Sequence, residues 1–562
     1  MKERKSNKPA ELSRREFLKK AGLTVGGLAL SSFVFPGGCA AKATSTSASA
    51  TTPPASTVYV TVTPTASAAV STTAATTTAA VTTTTAAITT TSTTAAGTTS
   101  TTAATTTAAT TTTTIAGRTV GLFLNNSARA WPGYTLMAPK QYTSTYLLDN
   151  QGRAVHTWTA SKYPPGQSAY LLENGHLIRA CSLMNKDVNT GGGEGGRIEE
   201  FDWEGNQVWE LAFSTDTYMQ HHDFVYLPNG NVLMLVVEKK TYTEAVAAGL
   251  DPSQMADVQK MGYILPDSVY EVKPTKLAGG TIVWSWHVWD HLIQDLNASK
   301  NNYGTVAAHP ELVDPNSGRQ IPVFWNHMNS IAYNATLDQI VLSVRGNSEI
   351  WIIDHTTTTS QAASHAGGNH GKGGDLIYRW GNPSQYRAGT QNDEMLFQQH
   401  CGAWIPQGCQ GTGDLLIFNN GIGRGYTTVD QITTPVDSNG NYALTAGSAY
   451  GPKTLNWTYK ANPPSSFYAD EISGAQRLPN GNTLICDGVH GMLFEVTSAG
   501  ESVWKYINPV VKTGPLTSTG VIPPDSAKAG QFMNEVFRVY RYGADYAGLA
   551  GRDLTSGTVI EK

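Results

Sequence analysis

His222-DFVY-LPNG, residues 222–230, is one copy of a phrase that recurs along the chain. The others are Gln167-SAYL-LENG (167–175), His400-CGAW-IPQG (400–408) and Ser473-GAQR-LPNG (473–481). Each runs from a polar residue through a short alternating segment to a Leu or Ile five positions on, then a tight turn. A looser copy, His327-MNSIAYNATLDQIVL (327–342), has a longer turn but the same alternation. Alternation with a period of two, closed by Asn-Gly or a related turn, is the signature of an antiparallel hairpin.

A second phrase lies upstream of most copies: an apolar strand, a turn, and a strand bearing Trp. It reads YLLDNQGRAVHTW at 146–158, EEFDWEGNQVWEL at 199–211, YEVKPTKLAGGTIVWSW at 270–286 and MLFEVTSAGESVWKY at 492–506. IWIIDH with LIYRWGN (350–382) is another copy, and LNWTY (455–459) a partial one. Inner-strand starts near 167, 222, 327, 400, 473 and 534 give six four-stranded units. Long helical periodicity is nearly absent, so the expected fold is all-β, a six-bladed β-propeller. The last inner strand, NEVFRVYRY (534–542), has little outer sheet after it, and the first Trp phrase precedes any inner strand. N-terminal strands are therefore expected to complete the last blade and remove its free edge. The Trp residues at 158, 209, 284, 380, 457 and 504 are read as blade packing.

The propeller is assigned to 116–562. Residues 43–115 are almost entirely Thr, Ala and Ser, too poor in large apolar side chains to build a core, and read as a disordered stalk suited to O-glycosylation. Residues 1–42 carry SRREFLKK (13–20) and then the apolar run AGLTVGGLALSSFVF, an export-signal pattern that resembles the twin-arginine type. The expected location is extracytoplasmic. Cys39 in FPGGCA is a lipid-attachment candidate that would tether the protein to a membrane; simple cleavage near residue 40 is the alternative. A net charge of −4 with 15% charged residues and no basic patch excludes a nucleic-acid partner. An oxidising compartment permits disulfides, and Cys401 and Cys409 are the candidate pair. Cys181 and Cys486 read as buried or free thiols.

Equivalent positions of a toroidal repeat point the same way relative to the axis, so His222, His327 and His400 are expected to meet. Asn329, two residues beyond His327, and Arg345, at the end of the strand QIVLSVR, should share that rim. Singly, each has an ordinary reading: a strand histidine, a turn amide, a surface arginine. Together, a guanidinium beside an amide and imidazoles suits a tetrahedral oxyanion. Imidazoles can also serve as nucleophile or move protons. His221 points to the opposite face of a regular strand and is a second choice for the role of His222. His365 and His370, in the tract HAGGNHGKGG, read as solvated.

The phrases HHDFVYLPNGN (221–231), HMNS (327–330) with LSVR (342–345), QHCGAWIPQG (399–408) with LLIFNNG (415–421), and SGAQRLPNGNTLICDG (473–488) resemble the bacterial arylsulfotransferase family. The likeness spans roughly 120–540. It implies a cofactor-independent, metal-free transfer of a sulfuryl group from an aryl sulfate donor to a phenolic acceptor. On that resemblance His400 is the nucleophile that forms a sulfohistidine, Arg345 and Asn329 hold the sulfuryl oxygens, and His222 and His327 stabilise charge and shuttle protons. The chain departs from the family at Asn419, where an Asp commonly precedes Asn-Gly. The stalk also occupies the place of an N-terminal β-domain involved in dimerisation, which leaves the oligomeric state open. Two other readings stand beside this one. Three imidazoles could hold a transition metal for a hydrolase or lyase, although Arg345 would repel it. A stalked propeller could also bind a ligand without catalysis.

Overall fold

The computed structural model describes residues 112–114 and 117–562, except 186, 189–191, 255, 318–322, 527 and 529. The export-signal, Cys39 and stalk readings lie outside the described residues, apart from Thr112–Thr114 at the end of the Thr-rich segment. That tripeptide forms a strand paired with Gly121–Asn126.

Six antiparallel sheets make the propeller. Blade 1 holds Pro165–Leu171, Leu177–Ser182, Gly196–Phe201 and Gln207–Ala212; blade 2 holds Tyr218–Tyr226, Val232–Glu238, Asp267–Pro274 and Gly280–His287. Blade 3 runs through Met328–Asn334, Gln339–Val344, Glu349–Asp354 and Tyr378–Trp380, and blade 4 through His400–Trp404, Leu415–Asn419, Thr428–Ile432 and Trp457–Tyr459. Blade 5 comprises Gly474–Arg477, Thr483–Asp487, Met492–Val496 and Ser502–Ile507, and is extended outward by Gly121–Asn126 and Thr112–Thr114. Blade 6 joins the two ends of the described chain: Tyr540–Tyr542 pairs with Tyr134–Met137, followed by Thr145–Leu148 and Ala154–Trp158.

Each pair of neighbouring blades encloses its own buried apolar cluster. Leu136, Leu147 and Trp158 meet Leu171 and Phe201 between blades 6 and 1, and Ile178 and Trp209 meet Phe224 and Met234 between blades 1 and 2. The largest cluster joins blades 2 and 3 through Leu235, Trp284, Trp286, Leu342 and Trp351. Short strands whose Val, Ile, Leu and aromatic side chains face a neighbouring sheet produce this wedge-by-wedge core.

The six Trp residues do more than fill it, because each donates its indole N–H across to the next blade. Trp158 reaches Asp202 O at 3.0 Å, Trp209 reaches Gly279 O at 2.9 Å, and Trp284 reaches Thr357 Oγ1 at 3.2 Å. Trp380, Trp457 and Trp504 reach Pro452 O, Ser498 O and Asn150 O, each at 2.8 Å. The last of these bonds runs from blade 5 to blade 6, so the ring of indoles closes. A buried indole needs such a partner, and the repeat supplies one at every interface.

Candidate active site

The inner strands are bulged near their axial ends. Register shifts fall between Pro165 and Ala169, Gln220 and Phe224, Met328 and Ser330, and His400 and Ala403. Beside the shifts, non-glycine residues take positive φ: Gln167 +130°, His222 +48°, His327 +49° and Cys401 +53°; Ser473, ahead of blade 5, has +82°. Such backbone costs on the order of 1–3 kcal/mol per residue and collects at functional sites. A bulge re-aims side chains that a regular strand would send to opposite faces. In the blade 4 copy the left-handed position is shifted one residue, to Cys401, which leaves His400 inside the paired strand.

His222, His327, Asn329, Arg345 and His400 come together. The His222 and His327 rings are 5.0 Å apart, and Phe324 stacks on His327 at 4.3 Å. Arg345 N donates to His327 O at 3.3 Å, which places the end of the second blade 3 strand beside the start of the first. Asn329 Nδ2 donates to Gln399 O at 2.8 Å, tying blade 3 to the residue before His400. Close approach at the rim requires glycine at 193, where a Cβ would lie 2.5 Å from His222 Cε1.

All three imidazoles are buried and held neutral. Burial pushes the His222 pKa well below the ordinary histidine value, and charge on His327, His221 or His400 would push it further. Burial and then the Arg345 guanidinium do the same to His327 and His400. Lys140, whose charge also bears on His222 and His400, lies 3.5 Å from Glu535. Arg345 thus faces two uncharged rings, an arrangement suited to an anion between them.

The tautomers follow from the surrounding bonds. Asn420 donates Nδ2 to Ala469 O at 2.8 Å and to Ile472 O at 3.2 Å, so its Oδ1, 2.8 Å from His400 Nδ1, is an acceptor. His400 therefore carries its proton on Nδ1 and presents Nε2 as a lone pair. A second chain runs Asp267, His221, His222: Asp267 Oδ1 lies 2.8 Å from His221 Nε2, and His221 Nδ1 lies 2.8 Å from His222 Nδ1. The His221–Asp267 approach is an ion-pair contact without hydrogen-bond alignment; with the His221 proton on that side, its Nδ1 would accept from His222, whose Nε2 is then basic. Beneath both chains, Asp223 accepts from Ser168, Tyr170, Ile331 N and, at 2.5 Å, Arg538 Nη2. This buried carboxylate bonds blades 1 and 3, and the segment leading into blade 6, to its own blade 2.

Several buried polar atoms here lack a hydrogen-bond partner among the described residues: Gln167 Oε1, His327 Nδ1, Asn329 Oδ1, Arg345 Nε and Gln399 Oε1. Each such group costs about 1–3 kcal/mol.

The structure corrects several expectations. Cys401 and Cys409 are free thiols. The intervening strand is extended, and the two sulfurs face different residues of blade 5, near Ala475 O and Arg477 O. Cys181 and Cys486 are likewise buried and free. His221 is not on an opposite face, because the bulge at Gln220/Phe224 turns its ring against His222. At the departure from the family pattern, Asn419 accepts from Phe397 N and donates to Met395 O and Asp430, holding the loop before blade 4. Nor are both histidines of the Gly-rich tract solvated, since His370 is half-buried between Gln339 and Asn441. Asn420, Asp267, Asp223, Lys140 and Arg538 were not singled out by their residue pattern. Only HHD (221–223) and NNG (419–421) hinted at them.

The model of the Arylsulfotransferase (ASST) family matches residues 107–514. No curated protein matches the chain. Among solved structures, a protein of unknown function from Bacteroides caccae is 12% identical with a TM-score of 0.36, covering 73% of this chain and 98% of its own. Virginiamycin B lyase from Staphylococcus aureus is 9% identical with a TM-score of 0.30, covering 67% and 84%.

Proposed function

The chain belongs to the arylsulfotransferase family, and from that premise we propose that it moves a sulfuryl group from an aryl sulfate to a phenol in two displacements through His400. The observation that carries this reading is the bond from His400 Nδ1 to Asn420 Oδ1, which leaves Nε2 an unprotonated nucleophile beside Arg345. In the first displacement His400 Nε2 attacks sulfur, the N–S bond forms, the S–O bond to the aryl group breaks, and phenolate leaves. Arg345 and Asn329 hold the sulfuryl oxygens, with the Arg345 donors aimed where charge gathers.

The Asp267–His221–His222 chain handles the proton. Bound sulfate favours a charged imidazole, so it offsets the depression that the empty pocket imposes. His222, with His327 beside it, gives a proton to the departing phenolate, and Asp267 steadies the charge. In the second displacement the same group takes the proton of the incoming phenol as its oxygen attacks the sulfohistidine. Donor and acceptor exchange one sulfuryl group and one proton, and neither a nucleotide nor a metal enters the balance.

A chromogenic aryl sulfate, offered with and without a phenol and in the presence of chelator, tests the reading. Release that depends on phenol and survives chelation supports it. Release at an equal rate without phenol would assign a sulfatase, loss on chelation with Tm unchanged a metal enzyme, and no release a binding propeller.

A further inference from the structure

Away from the axis, three ligating side chains from separate segments converge where the connection leaving blade 2 meets the Gly-rich loop of blade 3. His291 and Asp375 are buried, and His365 is exposed. His291 Nδ1 and His365 Nδ1 each lie 2.8 Å from Asp375 Oδ1. The three ligand atoms fall within 4.8 Å of one another. The position of His291 is set firmly: Trp286 stacks on it at 5.6 Å and 7°, and Trp286 Nε1 donates to Gly374 O at 2.6 Å. Glycine is needed at 374 because a Cβ there would sit 2.6 Å from His291 Nε2 and 2.0 Å from Ala362 O.

The hydrogen bonding of His291 leaves a place for a cation. Its Nε2 is 2.9 Å from Ala362 O, an acceptor, so Nε2 carries a proton. In the neutral ring Nδ1 is then a lone pair directed at a carboxylate oxygen, and two acceptors at 2.8 Å require a positive charge between them. A proton would satisfy that pair. The second imidazole nitrogen on the same oxygen, His365 Nδ1, would supply a third ligand atom to a metal. An imidazole whose far N–H donates to a backbone carbonyl is also the usual outer support of a metal-ligating histidine.

We propose that His291, His365 and Asp375 form a binding site for a divalent transition metal of the zinc class, with solvent at the fourth position on the side where His365 is exposed. Two nitrogens and one carboxylate oxygen match the preference of zinc for borderline ligands in a tetrahedral set. The site is structural. It fastens the 288–315 connection, which leads on to Phe324 and His327, to blade 3, where Leu376 N already donates to Glu311 O at 3.0 Å and Arg379 to Leu312 O at 2.9 Å.

The test uses zinc chloride as the probe on chelator-stripped protein, with metal content, calorimetric titration and Tm as readouts, none of which depends on sulfotransfer. The expected result is about one equivalent bound and a rise in Tm. His365→Ala, whose side chain is exposed and whose folding is therefore safe, should weaken binding by about 100-fold or more, whereas His327→Ala at the axis should keep the equivalent. No bound zinc, undiminished binding by His365→Ala, or loss of the equivalent in His327→Ala instead would overturn the proposal. So would a Tm that responds to acidification but not to zinc, which would assign the cluster to a shared proton.

Discussion

Two rings of repeated residues run around this molecule, and they are built in opposite ways. In the outer ring the six Trp residues are paired, and each indole N–H lands on an acceptor of the next blade. In the inner ring the repeat positions take left-handed backbone and expose buried atoms that lack partners, among them Arg345 Nε and Asn329 Oδ1. One ring converts the repeat into stability. The other concentrates left-handed backbone at the axis, the pattern expected when a rigid scaffold carries a reactive site.

The sharpest contrast comes from removing one member of each ring. Trp504→Ala, which deletes a fully buried indole at the blade 5 to blade 6 junction, should cost about 3–5 kcal/mol in unfolding free energy. The kcat of the folded fraction should hardly change, as measured by denaturant titration beside steady-state kinetics. Arg345→Ala should do the reverse: transfer falls by about 10²–10³-fold with a Tm close to that of the parent, because Arg345 Nε makes no hydrogen bond that the fold would lose. A destabilised Arg345→Ala protein would break the contrast by making Arg345 a structural residue.

Asn420→Ala should lower kcat by about 10²-fold, the low end for a positioned acid–base group, and leave KM for the donor little changed. Asn420→Asp is the finer probe. A carboxylate on His400 Nδ1 would favour the charged ring, so the acid limb of the rate profile should move toward neutral pH.

That profile follows from the neutral imidazoles. His222, His327 and His400 have pKa values lowered well below 6.5, by burial first. On the acid side activity should fail only below the usual imidazole range, as His400 protonates, while the need for a charged His222 in the sulfate complex sets the loss on the alkaline side. For stability the sign is set by proton uptake: below the unfolded value of about 6.5 the unfolded chain binds protons that the folded chain refuses. Stability should therefore drop by about 1.4 kcal/mol per pH unit for each such ring. His355 and His490 act the other way. At His355 burial is outweighed by bonds to Glu271 and Asp338; at His490 the Asp487 bond leads. Both pKa values are raised, so their contribution is complete below 6.5 and lost as pH rises through the folded value. Thermal melts across pH 4–9 should show the acid-side loss as the larger effect.

The blades were legible because alternation, Asn-Gly turns and a recurring Trp are local signals, and five of the six inner strands lie at the phrase positions. The meeting of His222, His327 and His400 was legible for the same reason, since repeat phase transfers directly into position about the axis. What escaped was every feature that depends on a bulge or on a partner distant in sequence. A two-residue period assigns His221 and His222 to opposite faces, yet the bulge brings their Nδ1 atoms to 2.8 Å in one chain ending at Asp267. That Asn420 bonds His400 depends on a contact across 20 residues that no local pattern records. The Cys401–Cys409 spacing resembles a bridge, but the extended strand between them holds the sulfurs apart.

The central claim is that His400 Nε2 carries the sulfuryl group between two phenols. Rapid quenching of the protein with an aryl sulfate, without acceptor, followed by peptide mass spectrometry under alkaline conditions, measures that directly. The account predicts one added sulfuryl group on His400, removed when phenol is supplied and absent from His400→Ala. Labelling that persists in His400→Ala, or phenol-dependent turnover with no labelled peptide at any quench time, would contradict it.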